Sequence, residues 1–264
     1  MSLDFIDAGL VLSSITTLLF IVPILDSIER KVKAAIHSRI GPPILQTWYD
    51  IRKLFAKKLS VIPNPFHVVF FLFLYMMLSI MSITYFITAV LVPMWNSIMV
   101  LIILITILQT TFIVLPFVTS NPFAIIGATR EVLLVLVNEI VFFIAMALLI
   151  FFSGETYLSS LPYIHPTPAY LILAAILFIV GYVSCGRQPF DIAEAEPEIA
   201  SGILVELTGP LLGVFVYANL VRRALFKLIP VYVLIAPFTG SNMYALITSL
   251  IILPILWVIY AGLA

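Results

Sequence analysis

Long apolar runs separated by short polar stretches define this chain. With about 20 residues needed for a helix to cross a bilayer, the runs at about 6–26, 66–91, 98–118, 130–152, 169–185, 199–220 and 243–262 each predict a crossing helix. A further apolar run at 228–238 is short for a crossing and fits either a thin helix or one lying in the interface. The breaks carry turn chemistry: a short uncharged turn at 93–97, Thr119-Ser120-Asn121-Pro122, a prolyl loop at 153–168, and Thr239-Gly240-Ser241-Asn242. After the first run, residues 31–40 and 44–59 mix apolar and basic positions at helical spacing. That pattern predicts an amphipathic helix lying in the membrane interface, with Ile44, Trp48, Ile51, Leu54 and Phe55 as its buried face. The expectation is an all-α, polytopic membrane bundle of about eight transmembrane helices. It forms a single integral membrane domain over 1–264, with a basic amphipathic segment at 29–65. No repeat period is visible, which speaks against a transporter built from two similar halves.

Composition agrees with this pattern. Hydrophobic residues make up 63% of the chain and charged residues 10%, against roughly 25% charged in an ordinary soluble domain. Mean hydropathy is +1.22. The distribution of charge adds more. Net charge is zero, yet Arg30, Lys31, Lys33, Arg39, Arg52, Lys53, Lys57 and Lys58, eight of the thirteen basic residues, fall in one segment. The positive-inside rule places that segment in the cytoplasm and the N-terminus outside. The loops at 121–130 and 186–198 then also face the cytoplasm, and the three charged loops are expected to meet. Arg222, Arg223 and Lys227 fall outside as an exception. Asp4 and Asp7 stand where a signal peptide would be basic, so the first run reads as a retained span. One cysteine and three histidines offer no disulfide and no zinc, haem or iron-sulfur set, so no metal or redox cofactor is expected on this chain.

The costly feature is acidic. Asp191, Glu194, Glu196 and Glu198 lie in one loop, and Asp191, Glu194 and Glu198 are spaced to share a helix face. Glu206 follows eight residues past Glu198, about two turns deeper. Glu139 sits nine residues past Arg130 within the fourth run, with Asn138 beside it and Glu131 at its mouth. Ionisable groups at such depth mark ion paths by default, which makes Glu139, Glu194, Glu196, Glu198 and Glu206 an expected ion path. The plainer alternatives are a solvated acidic loop paired with Arg187 and Arg130, and structural hydrogen bonds at Glu139 and Glu206. Arg30, Lys31 and Lys33 read as topology and headgroup anchors. Arg39, beside Gly41-Pro42-Pro43, is less simply explained.

Three motifs carry a resemblance. Glu29-Arg30-Lys31-Val32, then Arg39-Ile40-Gly41-Pro42 and an amphipathic stretch ending Lys53-Leu54-Phe55, resembles the first cytoplasmic loop of subunit 1 of respiratory NADH dehydrogenase, complex I. Gly127-Ala128-Thr129-Arg130-Glu131 with Glu139 is similar to that family's second loop. Arg187 with Pro189-Phe190-Asp191, Glu194, Glu196, Glu198, Ser201-Gly202 and Glu206 resembles the third. They occur in the family's order across about 29–210. The resemblance implies eight helices and a heel subunit that joins a peripheral redox arm to antiporter-like pumping subunits through an acidic path. Glu29, Arg30, Arg39, Arg130, Glu131, Arg187 and Asp191 would lie on its coupling and docking loops. The chain departs from the family where Gly186 replaces the usual Glu, Leu207 the usual Tyr, and Asn138 the Tyr that commonly precedes Glu139. These departures look more like the corresponding subunit of membrane-bound [NiFe] hydrogenases and related sulfur-reducing complexes. That type implies hydrogenase-like large and small subunits and an iron-sulfur subunit as partners, with the iron-sulfur clusters and any NiFe centre on those chains, and no nucleic acid. A quinone-site subunit of a complex I type dehydrogenase and an inert membrane anchor are the alternatives.

Overall fold

A computed structural model describes residues 5–59, 65–93, 96–119, 121–190 and 207–263. Among the described residues every regular element is helical: α1 (Phe5–Ile36), α2 (Gln46–Phe55), α3 (Pro65–Leu91), α4 (Ser97–Val118), α5 (Pro122–Ser153), a 3-10 turn (Leu158–Tyr163), α6 (Pro168–Ser184), α7 (Pro210–Thr239) and α8 (Asn242–Leu263). Among the described residues five segments are long and apolar enough to cross a membrane: Leu12–Ile36, Phe66–Leu91, Ser97–Val118, Ala124–Ser153 and Asn242–Leu263. The apolar pattern therefore yields the all-helical, multi-pass membrane bundle it predicts. The expected count of eight includes residues 199–206 of the sixth run, which lie outside the described residues.

Several boundaries differ, each for a local reason. The first helix runs on through Ser27-Ile28-Glu29-Arg30 to Ile36. Two acid-before-base pairs at i,i+4, Asp26 with Arg30 and Glu29 with Lys33, bridge the polar stretch, and that order favours the helix. The helix stops short of Gly41, where a Cβ would come within 3.0 Å of the Lys31 Cα as the chain folds back on α1. α5 begins at Pro122, so Gly127 to Arg130 are helical rather than loop. Proline is favoured at the first helical position, where its missing N–H is not needed. In α2, Thr47 and Ile51 are buried, whereas Phe55 at its end and Ile44 just before it are exposed on the isolated chain.

The largest correction concerns the sixth run and the short run after it. They are not two helices divided at Arg222, Arg223 and Lys227. Residues 210–239 form one 30-residue helix, while 199–206 lie outside the described residues. The basic residues do not interrupt α7 because two of them are inside the protein: Arg222 is 2% exposed and Lys227 0%. α7 is the central post, packed against α1, α2, α3, α6, α8 and the 3-10 turn. Its N-terminal end abuts the Lys57 and Lys58 carbonyls through Gly209. Its other end reaches the 3-10 turn, where the Tyr232 hydroxyl donates to the Leu158 carbonyl at 3.0 Å.

Candidate functional site: a buried charge network

At the basic end of the bundle, α1 presents Asp26, Glu29, Arg30 and Lys33 over two turns. Glu29 is the node. It is 1% exposed, and its Oε2 accepts from Arg187 Nη2 at 2.8 Å and from the Trp257 indole N–H at 2.7 Å. Lys33 Nζ stands 3.7 Å from its other oxygen, an ion pair longer than a hydrogen bond, and Lys227 Nζ is 3.9 Å from Oε2. Four elements thus converge on one carboxylate: α1, the loop after α6, α7 and α8. Lys227 is also held over the Trp257 ring at 3.4 Å, with Tyr260 at 5.6 Å. A ring face partly replaces the water that a buried ammonium has lost.

Asp26 extends the network to α2. Its Oδ2 accepts from the Thr47 hydroxyl at 2.9 Å and pairs with Arg30 Nε at 3.1 Å, and its Oδ1 lies 3.5 Å from Arg187. Arg30 also donates to Asp50 at 2.9 Å, and the Gln46 amide donates to the same carboxylate at 2.8 Å. The Ser27 hydroxyl donates to Thr47 Oγ1 and accepts from the Thr47 N–H. These contacts fix the amphipathic helix to α1, and Trp48, donating to the Phe20 carbonyl at 3.2 Å, adds another tie. Charges withdrawn from water this far persist only with such pairing.

A second polar seam joins α5 and α6. Asn138 donates to Ser184 Oγ at 2.7 Å and to the Val180 carbonyl at 3.3 Å. Beside it, Glu139 is half-buried, and its Oε1 has no hydrogen-bond partner among the described residues. Arg130, Asn138 and Phe190 line a groove of about 780 Å³ whose walls are otherwise aliphatic. A third polar site lies deeper. Arg222 donates to Gln109 at 2.9 Å and to Asn219 at 3.0 and 3.2 Å, with Phe112 4.1 Å from its guanidinium.

Of the residues expected from sequence, Glu29, Arg30 and Arg187 are brought together, which joins the first and third loops. Arg130 shares the α5–α6 groove with Phe190, and Glu131 is buried at 8%. Arg39 lies by Lys33 and Arg187 at a separate cleft. Asp191, Glu194, Glu196, Glu198 and Glu206 lie outside the described residues. Sequence reasoning missed Asp50, Trp257 and Lys227 as network members, and Arg222 with Gln109. Expecting Arg222, Arg223 and Lys227 on the outer side was wrong: Lys227 reaches Glu29, and the Arg223 carbonyl accepts from Cys185 Sγ at 3.8 Å, at the end that holds Arg187. The usable signal was Gln109, a polar residue midway along an apolar run, which calls for a buried partner.

The family model described as NADH dehydrogenase matches residues 9–262. The chain is 31% identical over 209 residues to hydrogenase-4 component C of Escherichia coli K12, covering 75% of this chain and 66% of that protein. It is 32% identical over 206 residues to formate hydrogenlyase subunit 4 of the same organism, covering 74% and 66%. Both alignments thus span just under two thirds of the relative's length. Among solved structures, the membrane-bound sulfane sulfur reductase, an archaeal respiratory membrane complex, matches with a TM-score of 0.77 at 23% identity. That match covers 96% of this chain and 87% of the other, and it speaks to the fold alone.

Proposed function

This chain belongs to the NADH dehydrogenase family, and on that premise we propose that it is the membrane heel subunit of a complex-I-like respiratory complex of the hydrogenase or sulfur-reducing type. In this reading it links a peripheral redox arm to ion-pumping, antiporter-like subunits. The arm would comprise hydrogenase-like large and small subunits and an iron-sulfur subunit, which carry the iron-sulfur clusters and any NiFe centre.

The observation that carries the proposal is the four-element junction at Glu29. Arg187, four residues before Asp191, is bonded to a carboxylate that also contacts α1, α7 and α8. A change of charge or position in the loop is therefore felt inside the bundle, where screening is weak. Glu139, with a buried oxygen that lacks a hydrogen-bond partner among the described residues, has the open acceptor that a proton carrier needs. Glu194, Glu196, Glu198 and Glu206 would continue the path.

The test is made in the assembled complex. Glu139→Gln and Glu206→Gln are each expected to cut ion translocation at least tenfold while electron transfer and subunit composition are preserved, about 10² being a usual effect of removing a proton-transfer group. Normal pumping by both variants rejects the ion path. Loss of assembly in both supports an anchor whose carboxylates are structural.

A further inference from the structure

Where α1 and α8 end, a cleft of about 440 Å³ opens beside the network. Its polar lining comprises Lys33, His37, Arg39, Arg187 and Gln188, with Ile36, Ala261 and Gly262 among its apolar lining, and no carboxylate among the described residues contributes to it. The basic groups there are under-compensated. Lys33 and Arg187 both draw on Glu29. Arg187 Nε is buried with no acceptor, and neither His37 nor Arg39 makes a side-chain ion pair among the described residues. Asp26, Glu29 and Asp50 face Arg30, Lys33, Arg187 and Lys227. Among the described residues the network therefore carries more cations than carboxylates even before Arg39 is added, and Lys33 and Arg187 bring that excess to the cleft.

The cleft's position says which anion suits it. Ile36 and Leu263 are the last residues of two membrane-crossing segments, so the cleft lies at headgroup depth. Ile36, Ile259 and Leu263 are 59%, 51% and 66% exposed. They give an apolar surface adjoining the cationic pocket. A free anion or an acidic peptide has no use for that surface, whereas an acyl chain does.

We propose that this cleft binds the phosphate of an anionic phospholipid headgroup. Arg39 and Lys33 supply donors, with the Arg187 guanidinium adding positive charge behind them, and the acyl chains lie along the apolar ends of α1 and α8. Guanidinium groups suit phosphate because they offer several coplanar donors to its oxygens. The site offsets the excess of cations found among the described residues around Glu29 and holds the basic loop at the membrane surface. It is a property of this chain that does not depend on which redox arm docks or on whether ions are pumped.

Native mass spectrometry of the full chain, purified in detergent and delipidated, tests the proposal with phosphatidylglycerol, phosphatidylcholine and inorganic phosphate as probes. Phosphatidylglycerol is expected to bind in preference to phosphatidylcholine and to resist displacement by millimolar inorganic phosphate. Arg39→Gln and Lys33→Gln should each weaken it about fivefold, the usual contribution of one basic residue to an anionic lipid. Lys53→Gln removes the same charge from an exposed position outside the cleft and should change nothing. Arg39 is exposed and outside the ion-pair network, so its replacement tests binding without disturbing the fold. Equal binding of the two lipids, an equal loss in Lys53→Gln, or displacement by inorganic phosphate overturns the proposal.

Discussion

A carboxylate at 1% exposure in an apolar bundle is tolerated only because its neighbours supply what water did, and at Glu29 those neighbours can be weighed separately. Arg187 and Trp257 are within hydrogen-bond range of Oε2, whereas Lys33 and Lys227 are long ion pairs at 3.7 and 3.9 Å. Removing the carboxylate leaves several cations facing one another with one anchor fewer. Glu29→Ala is therefore expected to destabilise the protein by about 3 to 5 kcal/mol, the range for breaking a buried pair from one side. Asp50→Ala, in an ion pair whose side chains are 39% and 45% exposed, should change stability by no more than about 1 kcal/mol. Thermal unfolding of the purified chain in detergent measures both, and equal losses would contradict the weight given to burial. Glu29, Arg30 and Arg187 are legible in sequence through the loop motifs that carry the family resemblance. Trp257 is not, because an indole in a crossing helix looks like ordinary packing until its N–H is seen to point at a carboxylate 228 residues away.

Among the helices, the apolar pattern locates the crossings well and their ends less well, because ends are set by pairing that hydropathy does not register. Asp26 with Arg30 and Glu29 with Lys33 help carry α1 nearly three turns past its apolar run. Arg222 and Lys227, which look like a break, are absorbed into α7 by Gln109, Asn219, Glu29 and Trp257. None of those partners except Asn219 is near in sequence, so the continuity of α7 could not be read from its own residues. Its packing gives a direct check. A Cβ at Gly181 of α6 would stand 2.5 Å from the Phe226 carbonyl of α7, closer than atoms tolerate, and both groups are backbone and cannot swing aside. Gly181→Ala is expected to lower stability by about 1 to 3 kcal/mol through overpacking. Gly262→Ala, with nothing within 4 Å of the added methyl, should be neutral. Melting temperatures and membrane expression levels separate the two. If residues 222–227 formed a yielding loop rather than helix, Gly181→Ala would be absorbed and would match Gly262→Ala.

Across the whole molecule, relocating Arg223 and Lys227 sharpens the sidedness of charge. The basic segment, Arg187 and both of these residues gather at one end of the bundle, with Arg222 inside it. The opposite end, marked by the 3-10 turn, the start of α6 and the turn between α7 and α8, has Glu155 as its charged residue and no Lys or Arg among the described residues. The exception that the sequence pattern seemed to demand is gone, and the positive-inside bias now predicts one orientation, with the network end toward the cytoplasm. Cysteine labelling checks this with little interference, because the single native thiol, Cys185, is fully buried. In a Cys185→Ala background, Glu155→Cys should react with a membrane-impermeant maleimide in intact cells stripped of their outer wall. Lys57→Cys, exposed beyond α2, should react only after permeabilisation. The reverse pattern would invert the orientation, place the Glu29 network on the outer face, and remove the proposed redox arm from reach of the loops that resemble its docking site.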